Sequence, residues 1–398
     1  MAREAVPDAV APPPRHPRFA LVDGMRAVAV LAVVTVHAAI AGRTGASVGG
    51  RLIAHLNVGV TIFFLISGFL LYRPFIANRT GGAAAPRTID YVKRRFLRIY
   101  PAYWLVLTIL AITPGVIVIV DGHWWPMYAL VHTLPVYAGR RCVDLPQVCG
   151  LSQTWSLVVE VTFYAVLPAY AFIMAGVTKR ISVRAWFRVE LLVLSALSCL
   201  SVAFQFGPLS PAPSWVAFSV VGYFYWFALG MGMAVASVRF AHVERQPWWI
   251  RCVGAYPHLV WLAALVAYVL ACLSLPASPF LFLRGQQLEA HLTFGIVAVL
   301  LLGPAVFQEH SGGFPRRFLA RPTIAWFGLI SYGIFLWHFV VTLQTGWQQG
   351  AGASFFVVLS ATLAVSIPCA AASYYLVERP FLRLKYRRVR GRRRRPMA

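Results

Sequence analysis

Charge is scarce in this sequence, and acidic charge is scarcer still. Of the 398 residues only 12% are charged and 12 are Asp or Glu, whereas 59% are hydrophobic. An ordinary soluble domain carries about 25% charged residues, and a single core could not bury so much apolar surface. The composition therefore excludes a soluble globular protein and predicts a polytopic membrane protein.

Cysteine is scarce as well, and the six cysteines show no metal-ligand spacing. Because no Cys-x-x-Cys pair occurs, we expect no metal site. Cys142 and Cys149 share one polar loop and would form a small disulfide if that loop faces an oxidising compartment. The other four cysteines lie in or near apolar runs or in a basic loop, where ordinary thiols are expected.

No cleavable signal peptide is recognisable at the amino terminus. Residues 1–18 are rich in Pro and Ala and lead straight into a full-length apolar run, so we predict a disordered cytoplasmic leader. Residues 385–398 form a basic cytoplasmic tail suited to contact anionic membrane lipids. The range between them, 19–384, is predicted to be one membrane domain.

Ten apolar runs are long enough to cross a bilayer, which takes about 20 residues each. They are 20–41, 54–72, 99–120, 154–176, 189–207, 215–238, 257–275, 288–308, 323–343 and 354–377. If the chain starts inside, 30 Lys and Arg fall in inner segments and five in outer ones, as the positive-inside rule requires. We predict an all-α integral membrane protein of the inner (plasma) membrane, with about ten transmembrane helices and both termini cytoplasmic. The net charge of +24 then needs no nucleic acid.

The first run carries ionisable residues on one face. Arg26 and His37 are eleven residues apart, which is three helical turns plus about 20°, and they lie roughly 16 Å apart along the axis. Asp23, one turn before Arg26, can pair with it. Snorkelling of the arginine and packing of the histidine would explain each alone, but ionisable groups at membrane depth are usually functional. A desolvated histidine stays neutral and can take a proton from a hydroxyl.

A second constellation is the segment DYVKRRFLRIYPAY, residues 90–103. Arg95 and Arg98 share a helix face, whereas Lys93 and Arg94 point elsewhere. Positive-inside anchoring explains any one of them, and a polyphosphate cradle explains the group equally well, because guanidinium groups match phosphate oxygens.

Three further ionisable residues stand in apolar runs. Glu160 lies six residues into its run, about 9 Å deep, so we expect a partner such as His37 or a substrate hydroxyl. His338, beside Trp337, has a structural and a functional interpretation. Glu378 is expected to pair with a neighbouring arginine and fix the end of the last helix.

Five segments in order resemble the membrane-bound acyltransferase-3 family of O-acyltransferases. They are VDGMRAVAVLAVVTVH with its Arg-x10-His pattern, VGVTIFFLISGFL, YVKRRFLRIYPAYW with Arg-x-x-Arg, TWSLVVEVTFY, and SYGIFLWHF followed by YYLVERPF. Together they extend from about Arg18 to Leu384, and in combination they are specific.

The resemblance implies an acyl-coenzyme A donor, acetyl-coenzyme A above all, and a sugar-containing acceptor. The donor phosphates would meet Arg95 and Arg98, with Arg94 nearby. His37 would act as general base on an acceptor hydroxyl, and Glu160 would orient that hydroxyl or shuttle its proton. A covalent acyl-histidine intermediate remains open.

The resemblance also implies roles for residues other than the general base. Arg26 would guide the donor or pair with Asp23, and Asp23, His338 and Trp155 would contact the substrates. The sequence departs from the family at Thr61, where an acidic residue is usual. Because the last run is followed only by the basic tail, we expect transfer to finish within the membrane domain, which favours a small glycosylated acceptor or a glycolipid.

Two other classes of function remain open. Ten spans with buried Asp, Glu, Arg and His would also suit a proton-coupled exporter of a glycoconjugate. Against an exporter, the two halves of the chain show no matching pair of Gly- or Pro-broken spans. A membrane scaffold would leave the buried charges without a purpose.

Overall fold

The computed structural model describes most of the chain as helices. The described residues are 20–42, 47–79, 86–113, 124–133, 151–207, 218–241, 243, 245–277, 283–307, 312–348 and 353–383. The leader 1–18, the tail 385–398, Cys142 and Cys149 lie outside them. The helices are α1 Ala20–Ala41, α2 Val48–Ala54, α3 Val58–Arg79, α4 Thr88–Ile112, α5 Trp125–Tyr128, α6 Trp155–Val177, α7 Val183–Phe206, α8 Val220–Arg239, α9 Trp248–Ala255, α10 Pro257–Ser274, α11 Arg284–Val306, α12 Phe314–Leu319, α13 Pro322–Gln348 and α14 Phe355–Ser373. A 3-10 turn, Ser152–Thr154, precedes α6, and a π-helical turn, Tyr374–Glu378, follows α14.

The prediction of ten spans is confirmed. Ten helical stretches within the described residues are long and apolar enough to cross a membrane, and these residues contain no β-strand. The bounds differ most at the third span, which was expected at 99–120 and lies at Thr88–Ile112. The reason is that the helix begins before its apolar part, in the segment that contains YVKRRF. Basic and apolar residues alternate there at helical spacing, and Asp90 occupies the first turn. Arg95 and Arg98 consequently lie inside this helix and not at its mouth.

Helix α1 occupies the centre of the bundle. It packs along α13 for most of its length and also contacts α3, α14 and α11. Two glycines let α12 and α13 pack closely against the first turns of α1. A Cβ at Gly328 of α13 would overlap the carbonyl of Asp23, and a Cβ at Gly24 would overlap the backbone of Leu319 of α12. Small residues commonly let membrane helices approach in this way. The approach matters because it fixes the start of α1, where Asp23 and Arg26 lie.

A buried ion pair joins α3 to α7. Arg79 Nη1 lies 2.7 Å from Glu190 Oε1, and the hydroxyls of Tyr72 and Tyr170 also donate to the Glu190 carboxylate, at 2.9 Å and 3.2 Å. Glu190 is fully buried, and with a cation and two hydroxyls its charge is compensated. The sequence analysis did not single out this carboxylate, whose role in the fold is structural.

Arg316, which the charge count treated only as one of the inner basic residues, is a structural centre. Its guanidinium is buried and donates to five backbone carbonyls from three neighbouring segments. The acceptors are Val253 (3.1 Å), Gly254 (3.2 Å), Pro304 (2.9 Å), Phe307 (3.1 Å) and Gly312 (2.8 Å). Four of these carbonyls lie at the carboxyl ends of α9 and α11, so one side chain satisfies helix ends that would otherwise lack donors.

We expect Arg316→Lys to destabilise the fold. An ammonium has three donors against the five of a guanidinium, and each buried carbonyl left without a donor costs about 1–3 kcal/mol. The melting temperature of the purified protein in detergent should fall by several degrees, whereas Arg317→Lys at the neighbouring exposed position should leave it unchanged. Equal melting temperatures for the two variants would contradict this role for Arg316.

Candidate active site

The start of α1 carries the ion pair that the sequence predicted. Arg26 Nη1 lies 2.8 Å from Asp23 Oδ1, one turn earlier on the same helix. Arg26 also interacts electrostatically with Arg98 of α4 and with Tyr164 of α6. Asp23 thus compensates one of several cations that converge between α1, α4 and α6.

Helix α4 brings two more guanidinium groups to the same place. Arg95 lies 5.8 Å from the ring centre of Tyr164 and 6.0 Å from that of Tyr91, both within cation–π range. It also interacts electrostatically with Arg98 and Arg26. We call this part of the bundle, defined by Arg26, Arg95 and Arg98, the arginine end.

Several polar atoms at the arginine end are buried without a hydrogen-bond partner among the described residues. They are Arg95 Nε, Tyr91 Oη and Glu378 Oε1. Glu378 closes the π-helical turn and interacts electrostatically with Arg98. It forms no ion pair within 4 Å among the described residues, so it does not make the close arginine pair that the sequence suggested. Buried polar groups usually have partners. Arg95 Nε and Tyr91 Oη can donate to an anionic ligand, whereas Glu378 Oε1 suits a donor group.

Arg94, the third arginine that the sequence assigned to the donor, is half-buried. It interacts electrostatically with Tyr91. Lys93 beside it is exposed. Lys93 is thus exposed as the helix spacing predicts, whereas the burial of Arg94 does not separate it from Arg95 and Arg98.

Glu160 has hydroxyl partners where the sequence suggested His37. Its Oε1 accepts hydrogen bonds from Ser67 of α3 and from Tyr164, one turn further along α6. Among the described residues no cation lies within 4 Å of this carboxylate, in contrast to Glu190. Glu160 pairs with Tyr164 because that tyrosine stands at i+4 on the same helix and reaches the carboxylate directly.

His37 pairs with His338 instead. The Nδ1 atom of His37 lies 3.0 Å from Nε2 of His338, because α1 and α13 run side by side in the same direction. The ring of Phe339 contacts the His37 ring edge-to-face at 5.1 Å. His338 is fully buried and His37 half-buried. We call this part of the bundle, defined by His37 and His338, the histidine end.

The partners of His338 determine how the hydrogens are arranged in this pair. His338 Nδ1 lies 2.8 Å from the carbonyl oxygen of Phe335 and 3.1 Å from that of Ile334. Because carbonyl oxygens only accept, Nδ1 of His338 carries the hydrogen, and the neutral ring presents a lone pair at Nε2. The hydrogen between the rings therefore belongs to Nδ1 of His37, whose Nε2 is left with a lone pair. An imidazole in this tautomer can accept a proton at Nε2.

Tyrosines lie between the two ends. Tyr332, six residues before His338 on α13, donates to the carbonyl of Ile99 at 2.9 Å. It interacts electrostatically with Glu160, Tyr164 and Glu378. Together with Ser67, these residues extend the polar interior of the bundle beyond the three arginines. The tyrosines were not predicted as site residues from the sequence, although the i+4 spacing of Tyr164 from Glu160 indicates that the two side chains can meet.

Trp155 lies in an aromatic cluster of α3, α8 and α11. Its ring contacts Phe64, Phe218 and Tyr223, with centroid distances of 5.2–6.4 Å. The cluster continues through Trp226 to His291, whose ring stacks on that tryptophan at 4.4 Å. The ring contacts of Trp155 are thus with this cluster and not with the histidine pair.

Ten apolar helices among the described residues make this a multi-pass membrane protein. A histidine pair and three arginines lie at opposite ends of its core. Comparison with known families assigns its class. The model of the family described as "Acyltransferase domain" matches residues 19–374. The chain therefore belongs to this acyltransferase family.

Three relatives show what the family includes. The chain is 25% identical over 381 residues to the putative peptidoglycan O-acetyltransferase YrhL of Bacillus subtilis (90% of this chain, 54% of YrhL). It is 24% identical over 341 residues to the peptidoglycan O-acetyltransferase OatA of Listeria monocytogenes (81% of this chain, 49% of OatA). It is 27% identical over 354 residues to the exopolysaccharide production protein ExoZ of Rhizobium meliloti (85% of this chain, 92% of ExoZ). The chain thus spans about half the length of YrhL and OatA. No solved structure matches it significantly.

Proposed function

We propose that this protein transfers an acyl group, acetyl or another short chain, from acyl-coenzyme A to a hydroxyl of a sugar-containing acceptor, with His37 as the general base. The observation that carries the proposal is the pairing of His37 with His338, which leaves the lone pair of His37 Nε2 available inside a membrane helix. The relatives support the acceptor class, since two are named for peptidoglycan O-acetylation and one for exopolysaccharide production.

The arginine end supports a phosphate-bearing donor. Guanidinium groups bind phosphate oxygens through paired hydrogen bonds. Of the three arginines only Arg26 has a carboxylate within 4 Å among the described residues, so Arg95 and Arg98 have no close ion-pair partner there. We place these arginines, like the other segments rich in Lys and Arg, on the cytoplasmic side, where acyl-coenzyme A is made. The thin pantetheine arm would carry the thioester past Tyr164 and Tyr332 toward His37.

These residues account for every proton that moves during acyl transfer. The acceptor oxygen attacks the thioester carbonyl while its proton passes to His37 Nε2. The tetrahedral intermediate collapses, the carbon–sulfur bond breaks, and the thiolate of coenzyme A takes the proton from His37. Glu160, held by Ser67 and Tyr164, would orient the acceptor hydroxyl.

The test uses the purified full chain in lipid nanodiscs. Thiol release from acetyl-coenzyme A is followed with and without octyl glycosides, and the acyl group is located in the acceptor by mass spectrometry. Acceptor-dependent thiol release with an acylated glycoside supports the proposal. Glycoside uptake into proteoliposomes without acylation would overturn it and favour an exporter.

We expect His338 to act through His37. In His338→Leu the Nδ1 hydrogen of His37 loses its acceptor at 3.0 Å, and the turnover number should fall by about tenfold to a hundredfold, less than for loss of the base. KM for both substrates should stay within about twofold if His338 only positions the base. A rise in KM with an unchanged turnover number would instead assign His338 to substrate binding.

A further inference from the structure

One buried amide beside the histidine pair has hydrogen-bond partners for its nitrogen but none, among the described residues, for its oxygen. Gln153, in the 3-10 turn before α6, is 3% exposed. Its Nε2 donates to the carbonyls of Leu336 at 3.2 Å and Phe335 at 3.4 Å. Its Oε1 is buried and has no hydrogen-bond partner among the described residues. The orientation of the amide follows from chemistry, since only its nitrogen can donate to carbonyl oxygens.

The position of this amide relative to the histidine pair is well defined. The carbonyl of Phe335 that accepts from Gln153 also accepts from His338 Nδ1, at 2.8 Å. Gln153 and His338 therefore lie on either side of one oxygen atom, and His37 is the next residue in the chain of hydrogen bonds. Gln153 thus shares a backbone acceptor with the hydrogen-bond partner of the proposed base.

The local structure holds Gln153 rigidly. The hydroxyl of Ser156 donates to the Gln153 carbonyl at 3.1 Å, and that of Thr154 donates to the carbonyl of Leu151 at 2.6 Å. His132, from the segment 124–133, places its Nε2 3.3 Å from the Thr154 hydroxyl. Burial lowers the pKa of His132 to about 4, so it contributes no positive charge here at neutral pH. The neighbouring residues His132, Thr154 and Ser156 thus carry no charge and suit a neutral donor.

We propose that Gln153 Oε1 accepts a hydrogen bond from a second hydroxyl of the acceptor, adjacent to the hydroxyl that His37 deprotonates. This inference rests on the proposed function and specifies its acceptor as a diol or polyol. A buried acceptor without a partner is costly, and a ligand hydroxyl removes that cost. A site built to bind a hydroxyl also rejects analogues that lack it, because its polar group then stays unpaired. Gln153 would thereby choose which hydroxyl of the sugar is acylated.

The experiment measures discrimination between acceptors. Octyl glucoside, galactoside and N-acetylglucosaminide are first assayed with wild-type protein in nanodiscs, and the best acceptor is then compared with its singly deoxygenated derivatives. We expect removal of the hydroxyl next to the acylated one to lower kcat/KM by about tenfold or more. In Gln153→Met, which keeps the side-chain length without the oxygen, the same derivative should react within about twofold of its parent.

Two further variants complete the test. Gln205→Met is the matched control, because Gln205 Oε1 is also buried without a partner but lies on α7, and it should discriminate as the wild type does. Gln153→Asn keeps both the donor nitrogen and the acceptor oxygen of an amide and should keep part of the discrimination if Gln153→Met fails to fold. Equal discrimination in Gln153→Met and the wild type would overturn the role of Gln153, and so would a wild type indifferent to every deoxygenation. If the wild-type protein acylated none of the three glycosides, the proposed function itself would be overturned.

Discussion

Replacing His37 by alanine is expected to lower acceptor-dependent thiol release by about a hundredfold to ten-thousandfold, the range that a general base contributes. The reason is that Nε2 of His37 is the lone pair that the hydrogen bond to His338 leaves available. The measurement is the initial rate of thiol release from acetyl-coenzyme A with a saturating glycoside. Donor affinity, measured by calorimetry in nanodiscs, should stay within about twofold of the wild type, since the arginine end is unchanged.

A second buried histidine supplies the control for His37→Ala. His291 is 5% exposed and stacks on Trp226, and a phenylalanine in its place preserves an aromatic ring. His291→Phe should therefore keep most of the wild-type rate. If His37→Ala retained more than a tenth of that rate, the assignment of the base would be wrong although the acyltransferase class would stand.

The spans of this protein were predictable because hydropathy is a local property. Ten runs of about 20 apolar residues can be counted without any knowledge of packing, and the structure has ten such helices. The start of α4 was less predictable, since an amphipathic extension that carries YVKRRF has no sharp change in hydropathy. The pairing of Asp23 with Arg26 was predictable from i+3 spacing alone.

The contacts within the site depend on which helices pack together, and spacing within one segment does not contain that information. His37 and His338 are 301 residues apart in sequence, and nothing in either segment indicates that α1 and α13 lie side by side. For the same reason the sequence suggested His37 or a substrate hydroxyl as the partner of Glu160, whereas the structure pairs Glu160 with Ser67 of α3 and Tyr164. Gln153 escaped notice because an amide at the end of an apolar span carries no charge.

Removing Arg95 and Arg98 together is expected to abolish the preference for a nucleotide-bearing donor. A hydrogen bond to a charged group contributes about 1.5–3 kcal/mol, so the loss of each arginine that binds phosphate should raise the donor KM by about tenfold to a hundredfold. The double variant Arg95→Gln with Arg98→Gln should therefore lose about a hundredfold or more in kcat/KM with acetyl-coenzyme A. The cation–π contacts of Arg95 with Tyr164 and Tyr91 are lost as well, so a melting curve must accompany the kinetics.

Comparison with a shorter donor separates phosphate binding from a structural role. Acetyl-pantetheine has the same thioester and the same arm but lacks the nucleotide and its phosphates. The wild type should react with it far more slowly than with acetyl-coenzyme A, whereas the double variant should use the two donors almost equally. Lys93→Gln, on the exposed face of the same helix, should keep the wild-type preference. If the double variant lost the same factor with both donors, the arginines would support the fold or the acceptor, and the donor phosphates would have to be sought elsewhere on the chain.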